Sequence, residues 1–423
     1  MYNLWTLIKY EYKKLFQRKA VWIVTLTLMA MAAASVILPP FMSVVSSNNG
    51  SDDSYTAYDS YKAQQELAAD LKGRPLDDEL LKEMSDAYAA ERESTEPIPA
   101  FPDSAVPYSV KYDDIYAFVA DAYESGIRYG AYTADSQHTS AGEYESPYFT
   151  GTAAQLYDVC RADLEKRWEQ EYLTEEEIAF LSAKEDAIET PFIYQYCGSY
   201  KSMLALFPVL AIMISFLTAV CIPPVSAEEH SRRTDQIVLC TKFGRRPAFL
   251  AKLFTAVTFS VGAVLLLFLS TAVPSFVIYG TEGIHAQIQF ASFECTWDLT
   301  VGQGVLIILG ISIAAAVMLS CTGLFLAGWF RSSIPAMGIL IGFLLISSVL
   351  NIPGQFRVLS QIWSYRPTAL IEMTGSLMEH RLVPFFGTYL ASYQAGPVLY
   401  LILALLFAFG GYFVWRRWQA GGR

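Results

Sequence analysis

Residues 299–330 read LTVGQGVLIILGISIAAAVMLSCTGLFLAGWF, 32 residues without one Asp, Glu, Lys or Arg. A helix needs roughly 20 apolar residues to cross the hydrocarbon of a bilayer, so this run has room for one crossing. Five further charge-free runs of at least 25 residues occupy 20–51, 202–227, 253–281, 332–356 and 382–415, and no other exceeds 12. The chain has 423 residues, 53% hydrophobic and 17% charged. Packing six such runs into a soluble fold would require several adjacent helices that are apolar on every side, whereas soluble helices carry a polar face. The reading is therefore an all-α polytopic membrane protein with six transmembrane helices, at 20–45, 202–223, 249–279, 301–329, 334–352 and 397–415.

Basic residues set the expected orientation. Lys9, Lys13, Lys14, Arg18 and Lys19 precede the first run; Arg232, Arg233, Lys242, Arg245, Arg246 and Lys252 lie between the second and third; Arg331 separates the fourth from the fifth; Arg416, Arg417 and Arg423 follow the last. That side carries 15 basic and 4 acidic residues, the other 15 basic and 37 acidic. The positive-inside bias places both termini in the cytoplasm. The net charge of -11 thus divides into +11 inside and -22 outside. Ala30-Met31-Ala32 has the spacing of a signal-peptide cleavage site, but 19 residues precede an apolar run longer than a signal core, which favours a retained span.

Residues 1–19 carry Leu4, Trp5, Ile8, Tyr12, Leu15 and Phe16 on one helical stripe, with Lys13, Lys14, Gln17 and Arg18 away from it. This pattern predicts an amphipathic helix lying in the cytoplasmic interface and bending into the first span.

Residues 46–201 hold 32 acidic and 12 basic residues and 17 of the 26 tyrosines. So many aromatic residues argue for a packed, mostly helical extracellular domain rather than a disordered acidic linker. Pro75 is read as the N1 proline of a helix through PLDDELLKEMSDAYAAER, and Thr174 with Glu177 as a capping box; 114–128 and 152–168 are read as helices. Loops are read at 96–109 and 133–151. A Cys160–Cys197 disulfide is sterically open. The negative balance suits cationic partners and solubility equally.

The chain contains no GxSxG, HExxH or GxxxxGK[ST] motif. Cysteines and histidines are scattered without metal-ligand spacing, and no carboxylate, histidine or basic residue stands within the six runs to bind a coupling ion. Neither an enzyme nor an ion-coupled carrier is indicated, and nothing suggests nucleic-acid binding. Energy for any transport would enter from outside the membrane.

The segment suited to receive that energy is EEHSRRTDQIVLCTKFGRRPAFLAK (228–252), where Pro223-Pro224 ends a span, Glu228 and Glu229 open a short helix at its dipole-favoured end, and Ile237, Val238 and Leu239 form an apolar ridge. A solvated loop would explain its arginines but not that ridge. The segment resembles the cytoplasmic loop of permease subunits of type-2 ATP-binding cassette exporters. Matching positions are Glu229, Thr234-Asp235-Gln236, Ile237-Val238-Leu239, Thr241-Lys242-Phe243-Gly244-Arg245 and Lys252. Arg233 stands where many members have Gly, and the Pro that often follows the aliphatic triplet is absent. The interfacial helix, six spans, paired termini and long excursion at 353–396 extend the resemblance over most of the chain.

The resemblance implies a multi-pass subunit of a bacterial plasma membrane, paired with a second permease subunit and with two copies of a cytoplasmic ATPase that bind ATP and Mg. The chain itself would hold no cofactor. Residues 224–248, with Glu228, Glu229, Arg232, Arg233, Thr234, Asp235, Ile237, Val238, Leu239, Lys242, Phe243, Gly244 and Arg245, would couple it to the ATPase. The excursion would re-enter the outer leaflet as short helices over 363–378, with Arg366 and Glu372 at its wet ends. Gly338 and Gly342 form a GxxxG pair suited to close helix packing, between subunits or within one. A membrane sensor or resistance module, binding a peptide or envelope ligand without transport, stays open as the other reading.

Overall fold

The computed structural model describes residues 2–46, 54–93, 98–101, 104–128, 151–231, 234 and 246–417. It is mostly helical, and five helices are long and apolar enough to cross a membrane. These comprise α2 (Lys19–Met42), α8 (Gly198–Cys221) continued by α9 (Pro223–Ser231), α10 (Arg246–Tyr279), α11 (Val301–Phe330) and α16 (Ser392–Arg417). The fifth charge-free run forms α12 (Ser333–Val349), only 17 residues. At 1.5 Å per residue it spans about 25 Å, less than the roughly 30 Å hydrocarbon core.

Helices α8 and α11 occupy the centre, while α2 and α16 keep most of their apolar side chains on the outer surface. Large exposed residues such as Leu405, Leu406 and Phe409 cover that surface of α16. In water this would be unfavourable, whereas lipid tails are their natural neighbours. Ser and Thr hydroxyls inside the bundle mostly bond back to helix carbonyls, as Ser312 does to Ile308 O (2.8 Å) and Thr218 to Ile214 O (2.7 Å).

The acidic region folds around α3 (Ala57–Leu67), α4 (Asp78–Glu93), α5 (Asp113–Arg128), α6 (Ala153–Gln170) and α7 (Glu175–Glu185). A small antiparallel hairpin, β1 (Val44–Ser46) with β2 (Ser54–Thr56), joins it to α2. Its core of Leu71, Leu76, Leu80, Met84, Ile115, Leu156, Leu164 and Trp168 is continuous with that of the membrane bundle. The predicted Thr174–Glu177 capping box is present. Pro75, however, does not open α4: it bridges to Ile193, and the Asp77 carboxylate accepts from Leu80 N (3.0 Å) to cap the helix. Cys160 and Cys197 are buried and free, so the disulfide does not form.

After α12 come α13 (Arg357–Ser364) and two single-turn helices, α14 (Pro367–Leu370) and α15 (Met373–Ser376). A hairpin of β3 (Val383–Phe385) and β4 (Thr388–Leu390) then leads into α16. This excursion packs on the acidic domain, where Arg357 bonds Tyr172 O and Glu177. Arg167 bridges Asp163 and Glu294, and buried His380 sits between Glu171 and Glu294 O. Gly283 (φ 89°) belongs to the same junction: a side chain there would collide with the carbonyl of Tyr196.

Candidate functional site

At the opposite end of the bundle, α1 (Tyr2–Phe16) lies across α10 and is buried there through Ile8 and Leu15. Tyr12 Oη and Thr258 Oγ1 are 2.5 Å apart. Trp5 and Phe16 of the predicted apolar stripe are exposed, as is Lys13. Exposed aromatic rings on an interfacial helix suit a headgroup boundary. The predicted separation between stripe and charged residues needs correcting: Glu11, Lys14 and Arg18 turn toward the protein, because their partners lie on α9 and α10.

Glu229 is 5% exposed and Lys252 1%. Lys252 Nζ donates to Glu229 Oε1 (2.7 Å), Val225 O (2.9 Å) and Glu11 Oε2 (3.3 Å), using its full set of three donors. It also lies 5.6 Å from the centre of the buried Trp415 ring, near the end of α16. Lys14 Nζ donates to Glu229 (2.7 Å) and Glu11 (2.9 Å), and Arg18 pairs with Glu228 while donating to Pro224 O (3.0 Å). Burial alone would pull the Lys14 ammonium down, but Glu11 and Glu229 outweigh it and raise its pKa.

The cluster thus holds three carboxylates and three cations drawn from α1, its junction with α2, α9 and α10. A buried charge is tolerable only when its partners replace the lost water, and every charge here has one. The sequence reading places Glu228 and Glu229 at a helix start; they occupy the later part of α9, which begins at Pro223. A carboxylate is unfavourable beside the carbonyl end of a helix, so the surrounding cations offset both the dipole and the burial. Thr234 N then donates to the Glu229 carbonyl (2.8 Å), closing the helix end.

Glu228, Glu229 and Thr234 are therefore the described members of the predicted coupling set. Arg232, Arg233, Asp235, Ile237, Val238, Leu239, Lys242, Phe243, Gly244 and Arg245 lie outside the described residues. Sequence reasoning missed Glu11 as a partner for this set. The available signal was that Glu11 is the single acid among the first 51 residues, set among five basic ones.

Gly338 and Gly342 lie on α12, and a side chain at either would meet nothing within 4 Å. They do not serve packing among the described residues of this chain. No three His, Cys, Asp or Glu among the described residues are grouped to hold a metal ion. Ion pairs and hydrogen bonds hold the described members of the cluster to one another across α1, α9 and α10. Comparison of the chain with protein-family models, curated proteins and solved structures gives no match.

Proposed function

We propose that this chain is the membrane-spanning permease subunit of an ATP-driven exporter of the type-2 ATP-binding cassette class. In this reading α1 is the cytoplasmic interfacial helix, the acidic domain is extracellular, and residues 232–245 dock on a separate ATPase that carries ATP and Mg. Two ATPase copies and a second permease subunit complete the assembly in the plasma membrane of a bacterium. The substrate belongs among peptides, lipids, drugs or glycans.

The observation that carries the reading is the buried cluster of Glu11, Lys14, Glu229 and Lys252. It ties α1, α9 and α10 together on both flanks of residues 232–245. A push on a free loop would be absorbed locally, whereas a push on a loop anchored to three packed helices moves those helices together. Docking alone would not need such an anchor; transmission of force would. Six crossings are supported by the position of α12, which leaves α11 at Arg331 and leads to Arg357 against the acidic domain. Gly338 and Gly342 then offer a flat surface for lipid or a second subunit.

The test is purification from the native membrane in mild detergent, followed by assay for bound, vanadate-sensitive ATPase activity and by ATP-driven uptake into inverted vesicles. Replacing Ile237, Val238 and Leu239 with Asp should release the ATPase while leaving insertion and yield intact. Retention of a fully coupled ATPase by that variant would sink the docking assignment. A second reading, a ligand sensor without transport, draws on the ion-paired junction between the acidic domain and residues 353–391. ATP-dependent substrate movement in reconstituted vesicles separates the two.

A further inference from the structure

Beside the charged cluster, the ends of α11 and α16 separate to leave a groove of about 350 Å³. Its walls are Phe325, Trp329, Phe413 and Val414, and Arg331 and Arg417 stand at its rim. The Phe325 and Trp329 rings are 5.8 Å apart. A Cβ on Gly410 would press on the Phe325 ring at 3.2 Å, so this glycine lets α16 approach without filling the space.

Three features point to a ligand with an acidic head and an apolar body. First, the groove changes character along its length: aromatic within the run of apolar helix, cationic where that run ends. Second, among the described residues no carboxylate pairs with Arg331 or Arg417, whereas Lys14, Arg18 and Lys252 at this end are each neutralised by Glu11, Glu228 or Glu229. Third, Arg331 takes the left-handed backbone conformation (φ 54°) after the last turn of α11. Glycine meets that demand without strain, yet the turn carries a guanidinium.

We propose that this groove is a specific binding site for a phospholipid with a net anionic headgroup, in the leaflet at the α1 end. The phosphate sits between Arg331 and Arg417, since planar guanidinium groups match phosphate oxygens in pairs. One acyl chain lies along Phe325 and Phe413. A basic pocket between spans is the physical setting in which anionic headgroups are held. The proposal needs only a membrane around the chain, so it stands or falls independently of the exporter assignment.

The Trp329 side chain reports on occupancy. The measurement is its fluorescence, taken as the difference between the full-length protein and Trp329→Phe, in phosphatidylcholine nanodiscs doped with brominated phosphatidylglycerol or brominated phosphatidylcholine. Half-maximal quenching is expected at about tenfold lower mole fraction for the anionic lipid, the scale set by two cations near the surface. Combining Arg331→Gln with Arg417→Gln should abolish that preference, while Arg416→Gln should leave it. Equal quenching by both lipids, or a preference surviving the double change, overturns the proposal. If the double variant does not fold, the same preference in the unmodified protein must shrink on going from about 0.05 to 0.5 M salt; a preference indifferent to salt also overturns it. Displacement of the lipid by millimolar inorganic phosphate would mean a free-anion site and reject the lipid assignment.

Discussion

Glu229 accepts from two ammonium groups while 5% exposed, which makes it the residue whose loss should be felt most. Glu229→Gln keeps the shape but leaves Lys14 and Lys252 sharing Glu11 alone. Breaking a buried pair from one side costs about 3–5 kcal/mol; Glu11 and the Val225 carbonyl hold the expected loss to about 3. A lower unfolding temperature in detergent checks this, and Glu229→Gln combined with Lys252→Met should cost less than the sum of the two single changes. Asp113 is a different case. Burial, then the charges of Asp114 and Glu91, push its carboxyl up to about 7, against the opposing hydrogen bond from Tyr88. A raised acid pKa means the folded state binds the proton more tightly. Its stabilising contribution is full below about 3.8, the unfolded value, and is lost as pH rises through about 7. Asp113→Asn should therefore gain on the order of 2–4 kcal/mol at pH 8 relative to pH 4, flattening the fall in unfolding temperature between them. An unchanged pH profile would refute the assignment. The cations at 9–19 and the acids at 228–229 were legible as charge clusters. Their pairing was not, because it joins residues more than 200 positions apart through packing that no local spacing encodes.

Among the elements, the junction between α7 and the excursion should respond to pH from both sides. Burial raises the Glu177 carboxyl, but donors from Thr174 and Arg357 outweigh it and hold it below the usual 4.5. That contribution is present above 4.5 and is lost as pH falls through the lower folded value. Burial lowers the pKa of His380, but Glu171 and the Glu294 carbonyl outweigh it and raise it above 6.5. Its contribution is full below 6.5 and is lost as pH rises through the higher folded value. The junction should be tightest between about pH 4.5 and 6.5, as hydrogen exchange of 172–186 and 357–382 would register. Arg357→Gln should raise exchange there and weaken the acid side, whereas His380→Gln should remove the alkaline limb alone. Fast exchange at pH 5.5 in the unmodified protein would contradict this account. A sequence signal of local origin held here: the capping box of Thr174 with Glu177 follows from residues three apart. Pro75 misled because its bridge to Ile193 is a tertiary demand that overrides a helix-start signal. The acids of α9 were placed at the wrong end because Pro223 can start a helix as readily as stop one.

For the whole molecule the deciding quantity is the parity of crossings. Five helices satisfy the length for a span, and an odd number would put the two ends of the chain on opposite faces. Yet Lys252 touches Glu11 of α1 and the Trp415 ring of α16, which brings both ends of the described chain to one end of the bundle. In the proposed six-span arrangement α12 crosses as well, although it spans about 25 Å. Its geometry favours that: Arg331 and Ser332 alone connect it to α11, and it packs beside α11 and α8. Beyond it, Arg366 Nε donates to Ser347 O (2.8 Å), tying the excursion back to α12. A short span backed by protein needs no thinning of the lipid. Single cysteines introduced at Asn3 and Gln419 in a background lacking the native six should therefore react with an impermeant maleimide from one and the same side of sealed vesicles. A cysteine replacing exposed Asp158 should react from the other. Labelling of Asn3→Cys and Gln419→Cys from opposite sides would leave α12 outside the count of spans.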